Sequence, residues 1–138
     1  MNVYSQIFHF EYYFYQKIEP YSLPNNLKNL TFGDNFNQKI ELNSLLEYLA
    51  ILTIGFTFNQ IIEPYSLHAN LTTLSFGLNF NQKLDITSLP DNLTTIIFGF
   101  NFNQIIDFEF YPCNLKNIIF KWYGYDSLDK SYIEMVWL

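Results

Sequence analysis

Leu71-Thr72-Thr73-Leu74-Ser75-Phe76-Gly77-Leu78-Asn79-Phe80-Asn81-Gln82 decides the fold, because its key positions recur along the chain. Phe80-Asn81-Gln82 returns as Phe36-Asn37-Gln38, Phe58-Asn59-Gln60 and Phe102-Asn103-Gln104, each 22 residues from the next without an insertion. Phe14-Tyr15-Gln16 is a worn fifth copy. Leu74 shares a column with Leu30, Leu52, Ile96 and Ile118. Phe76 keeps step with Phe32, Ile54, Phe98 and Phe120, and Gly77 with Gly33, Gly55 and Gly99. A gap-free period means that each unit occupies the same space and stacks on its neighbour. One unit of this length cannot bury its own apolar face, so the core must form between units.

Within a unit, Leu30-Thr31-Phe32 and Leu74-Ser75-Phe76 alternate apolar, polar, apolar, which predicts a short half-buried strand. The Gly column ends that strand, where a bend or a close backbone approach suits a residue without Cβ. Stacked coils place equivalent strands side by side as a parallel sheet, about 4.8 Å apart. The return segments, such as Glu63-Pro64-Tyr65-Ser66-Leu67, carry prolines that exclude a long helix, so extended pieces and short helical turns are expected there. The predicted fold class is a mainly β repeat solenoid, similar in plan to leucine-rich repeats.

Composition bounds the function. The chain has 138 residues, 49% of them hydrophobic, 20% aromatic and 14% charged, which is too apolar for disorder. Asn, Gln and Thr interrupt every greasy stretch, and no apolar run is long enough for a membrane-spanning helix. Seven lysines, no arginine and thirteen acids give a net charge of −6, which argues against nucleic acid and anionic membranes as partners. Cys113 is the lone cysteine, and no basic region precedes an apolar run at the N-terminus. A soluble, intracellular, cytoplasmic protein is expected.

The spacing Leu71-x-x-Leu74-x-Phe76-x-x-Asn79 resembles the core of a leucine-rich repeat, and Leu27-x-x-Leu30-x-Phe32-x-x-Asn35 repeats it. The full unit, running from Ser-Leu-Pro through Leu-x-x-Leu-x-Phe-Gly to Phe-Asn-Gln-x-Ile, resembles the FNIP repeat over residues 14 to 120. That family is abundant in social amoebae and in giant viruses that infect amoebae, which would place a viral copy in the host cytoplasm. The resemblance implies a protein-interaction scaffold with no catalytic activity. Some relatives carry an F-box, implying as an alternative the substrate-recognition part of a ubiquitin-ligase adaptor, truncated or lacking its F-box. A self-assembling structural protein is a further alternative. One departure from leucine-rich repeats is visible: Asn37, Asn59, Asn81 and Asn103 stand where an apolar residue is usual, so the turn after the strand should be built differently.

The recurring columns read first as scaffold. Asn37, Asn59, Asn81 and Asn103, with Gln38, Gln60, Gln82 and Gln104, are expected to form a buried amide ladder that pairs with turning backbone and with neighbouring coils. Ser22, Ser44, Ser66 and Ser88 recur too regularly for nucleophiles. Glu19, Glu41, Glu63, Asp85 and Asp107 should cap the turns that follow them rather than bind a cation, with Lys17, Lys39 and Lys83 relieving their mutual repulsion. His9, His68 and Cys113 share no column, and no catalytic, metal-binding or cofactor-binding residue emerges.

A binding surface is best sought in columns that vary. Thr31, Thr53, Ser75, Ile97 and Ile119 should face out from the sheet, turning apolar towards the C-terminus. Asp34, Phe56, Leu78, Phe100 and Trp122 follow the Gly column. Ile97, Phe100, Ile119 and Trp122, with Phe56 and Leu78, are the candidate protein-binding residues, the partner being a protein of unidentified kind. The competing expectation is that the bend at Gly tucks this column into the core, or that residues 121–138 cover it. The chain divides into a degenerate N-terminal coil (1–13), repeats (14–120) and a C-terminal cap (121–138). Leu128, Tyr132 and Met135 predict a short capping helix. The N-terminal coil could be a cap, or an uncapped edge that pairs with another copy or with an upstream domain.

Overall fold

The computed structural model describes residues 6–106, 111–121 and 132–135. Among the described residues seven strands form one sheet in sequence order: β1 (Ile7–His9), β2 (Asn29–Thr31), β3 (Ile51–Thr53), β4 (Thr73–Ser75), β5 (Thr95–Phe98), β6 (Asn117–Lys121) and β7 (Tyr132–Met135). From β1 to β6 all neighbours run parallel, and every pairing advances by the repeat period: Phe8 faces Leu30, Leu30 faces Leu52, Leu52 faces Leu74, Leu74 faces Ile96, and Ile96 faces Ile118. The chain is therefore a parallel β-solenoid. Its strands start one residue earlier than the alternation predicts. The ladder nevertheless continues past them, since Phe32, Ile54 and Phe76 each donate a backbone hydrogen bond to the next coil. The described return segments are turns and extended pieces, with a short 3₁₀ helix at Ile86–Ser88.

The core runs up the middle as columns. Leu30, Leu52, Leu74 and Ile96 are fully buried beneath the sheet. Beside them a spine of rings climbs the stack: Phe36, Phe58, Phe80 and Phe102 follow one another at 6.1 Å between centroids. A second ring stacks on the first inside most coils, at 3.9 Å for Phe32–Phe36, 3.7 Å for Phe76–Phe80 and 3.8 Å for Phe98–Phe102. Near-parallel, closely spaced rings add to the area term, and each fully buried ring contributes about 1.5–3 kcal/mol. Ile54 interrupts the second column.

The Gly column explains how coils come so close. None of these glycines has a positive φ, so their left-handed freedom is not used. Instead a Cβ on Gly77 would overlap the Gly55 carbonyl, and one on Gly99 the Gly77 carbonyl. Backbone lies directly on backbone there.

The C-terminal expectation is corrected. Tyr132–Met135 is not helical but a strand antiparallel to β6, with Ile119 facing Glu134. A helix of this length is marginal alone, while Tyr, Ile, Val and Trp favour strands, and pairing satisfies the edge that β6 would leave open. Leu128 lies outside the described residues.

Candidate functional site

The candidate binding residues fall along one side of the solenoid, on the outer face of the sheet and the turn that follows it. Phe56 and Phe100 are 40% and 49% exposed, so the bend at Gly does not tuck them into the core. Leu78, between them in the same column, is half-buried, as are Ile97 and Ile119 on β5 and β6. Trp122 lies outside the described residues. The column starts earlier than the sequence reading placed it, at Tyr12, which is 53% exposed. On the strands, Thr31, Thr53, Ile97 and Ile119 are half-covered rather than open, and Ser75 is buried. Parallel strands about 4.8 Å apart leave each small outer side chain flanked by its neighbours above and below. Among the described residues of these two columns, Asp34 carries the only formal charge.

The amide column makes a ladder at the surface. The Asn37 Oδ1 accepts from the Asn59 backbone N–H at 2.9 Å and from Gln60 Nε2 at 3.1 Å. Asn59 Oδ1 accepts likewise from Asn81 and Gln82, and Asn81 Oδ1 from Asn103 and Gln104. Asn37, Gln38, Asn59 and Asn103 are exposed, so the ladder is not the buried network expected from sequence. Its amides tie coil to coil where water could replace them, which keeps each bond near the modest net value of about 0.5–1.5 kcal/mol.

The charged columns also differ from expectation. Lys17 Nζ lies 3.8 Å from Glu41, and Lys39 Nζ 3.0 Å from Glu63, so each lysine reaches the acid of the following coil. The Glu63 hydrogen bond and charge hold the Lys39 ammonium above its ordinary pKa. Among the described acids of that column only Asp85 caps its turn: its Oδ1 accepts from the Thr87 N–H and hydroxyl, both at 2.9 Å, which holds its carboxyl below the usual value. Among the described residues no group of three or more His, Cys, Asp or Glu side chains could hold a metal ion. The serines are fixed in the turns, with Ser44 and Ser66 hydroxyls donating to the Glu41 and Glu63 carbonyls.

The family model of the FNIP repeat matches the sequence twice, at residues 14–56 and 58–101. The chain belongs to the FNIP repeat family. Among solved structures it is similar to CroV588, a circular LRR protein, with 48% identity and a TM-score of 0.75. That likeness covers 78% of this chain and 16% of CroV588, so this chain spans a small part of that protein's length. No curated protein matches the chain. As an FNIP repeat solenoid the molecule is a repeat scaffold, and no described helix is long and apolar enough to cross a membrane. The sequence reading of these FNIP coils missed a second set of cross-coil amides. Asn70, Asn92 and Asn114 donate to the Glu47, Ala69 and Asp91 carbonyls at 2.9–3.0 Å. Their regular recurrence was the available signal.

Proposed function

We propose that this chain is a non-catalytic scaffold that binds another protein through the sheet face and its adjoining aromatic column, centred on Phe100 and Ile97 and extending over Phe56, Leu78 and Ile119. The observation that carries the proposal is the exposure of two large aromatic side chains in one column, two coils apart. The core columns are committed to packing, and the charged columns on the return side carry ion pairs between coils. Exposed aromatic residues set on a rigid sheet suit a hot spot, since burying them costs little side-chain entropy and removes much apolar area from water. Trp122 belongs to the same proposed patch by its place in the column.

The test is quantitative affinity capture from the native cell extract, comparing the wild type with Phe56→Ala/Phe100→Ala and with a return-side control, Tyr48→Ala/Ile61→Ala. All three must retain the same circular dichroism. Loss of a specific partner in the first variant but not the control supports the proposal. Equal capture by wild type and the first variant, with loss in the control, would move the interface to the return side.

A further inference from the structure

The first coil copies the backbone of the others, and Phe10 and Phe14 continue their ring columns, but it departs from them at Glu11, Tyr13 and Tyr15. The Phe14 N–H donates to the Glu11 carbonyl at 3.0 Å, as Phe36 does to Gly33 at 3.1 Å and Phe102 to Gly99 at 3.3 Å. The place where a Cβ on Gly33 would fall is occupied by the Glu11 carbonyl, just as Gly55 would meet Gly33 and Gly77 would meet Gly55. Glu11 thus takes the Gly position one step earlier in the series. Its Cβ points to the space where the backbone of a preceding coil would lie. Two neighbouring positions change as well. Tyr13 stands in the column of Asn35, Asn79 and Asn101, and Tyr15 in the ladder column of Asn37, Asn59, Asn81 and Asn103. Each ladder oxygen accepts from the following coil, so Tyr15 removes the acceptor towards Asn37 and does not by itself bar a preceding coil; both tyrosines are well exposed.

We propose that the coil of residues 6–14 is a stop: Glu11, with Tyr13 beside it, prevents any further repeat coil from docking on this end of the stack. The block acts alike on a repeat from upstream chain and on a coil from another copy. Backbone-to-backbone contact leaves no flexible side chain to yield, so a Cβ there forces the whole coil away. The carboxylate would add a charge enclosed between two coils, without a partner. Stack length is then set by the sequence, and the open edge of β1 is kept from templating its own kind.

The test supplies the missing coil. A copy of residues 29–50 is inserted between Gln6 and Ile7, which continues the period in register, either in the wild-type chain or in Glu11→Gly/Tyr13→Asn/Tyr15→Asn. The same duplication between Ala50 and Ile51 is the internal control. Amide hydrogen exchange of the inserted strand is the readout. The inserted strand should exchange roughly 10- to 100-fold more slowly in the triple variant than on the wild-type end, and the internal copy should be protected in either. Equal protection on the wild-type end, or none on the triple variant while the internal copy is protected, would overturn the proposal.

Discussion

Replacing Gly77 by Ala sets two physical effects against each other, and the structure decides the sign. Gly77 has a negative φ that alanine adopts without strain. Judged by backbone alone, the change should stabilise by about 0.4–1 kcal/mol, because the unfolded chain loses freedom. The added Cβ, however, would overlap the Gly55 carbonyl and crowd the Phe56 nitrogen, which are backbone atoms of the preceding coil. Relief requires coils β3 and β4 to part, weakening the contacts along their whole length. Overpacking of this kind costs about 1–3 kcal/mol. The net expectation is destabilisation by about 1–2 kcal/mol, measured as a lower urea midpoint at unchanged slope. Gly33→Ala should cost less, since the coil of residues 6–14 that it meets has a described neighbour on one side and shifts more easily. A Gly77→Ala variant as stable as wild type, or more so, would refute backbone-on-backbone stacking.

Four further outcomes follow from named contacts. Phe80→Ala removes a fully buried ring from the centre of the spine and should cost about 3–5 kcal/mol by chemical denaturation, more than any surface change. Asn59→Ala deletes an exposed acceptor of two cross-coil bonds and should cost only about 0.5–1.5 kcal/mol; a larger loss would mean the ladder is shielded from water. Tyr65 holds φ at 61° with its side chain exposed, so Tyr65→Asn, the residue found at the equivalent Asn43, should raise the melting temperature by relieving about 1 kcal/mol of strain. Burial pushes the Tyr111 phenol from 10.0 up to about 12. The unfolded chain therefore loses this proton first, so stability is full below pH 10 and falls between pH 10 and 12. Tyr111→Phe should flatten that fall in alkaline denaturation.

The solenoid was legible because a gap-free period constrains every coil at once. The step from Leu30 to Leu52 to Leu74 in the sequence is the step between facing residues in the sheet. Family membership was legible for the same reason, through the recurrent Phe-Asn-Gln and Gly columns. What failed lay where periodicity ends or depends on distances between coils. Residues 132–135 have helical spacing in sequence, yet they pair with β6, because an open edge is a tertiary demand that local spacing does not record. Lys39 stands two residues before Glu41 in sequence but reaches Glu63, the next acid of the same column on the following coil, a contact between coils that spacing along one coil does not record. The exposure of Phe56 and Phe100 could not be read from sequence either, because the direction of the chain after Gly depends on the turn.

The most direct test of the coil-on-coil register is a pair of cysteine variants in a Cys113→Ser background. Thr53 and Ser75 face each other across β3 and β4, about 4.8 Å apart, within the span of a disulfide. Thr53 and Thr73 are offset by two residues, which puts them about 8 Å apart and beyond that span. Mild oxidation should link Thr53→Cys/Ser75→Cys and leave Thr53→Cys/Thr73→Cys reduced, as read by mass spectrometry of the digested protein. Linkage of the second pair in preference to the first would contradict the 22-residue stacking on which the fold and the proposed binding face depend.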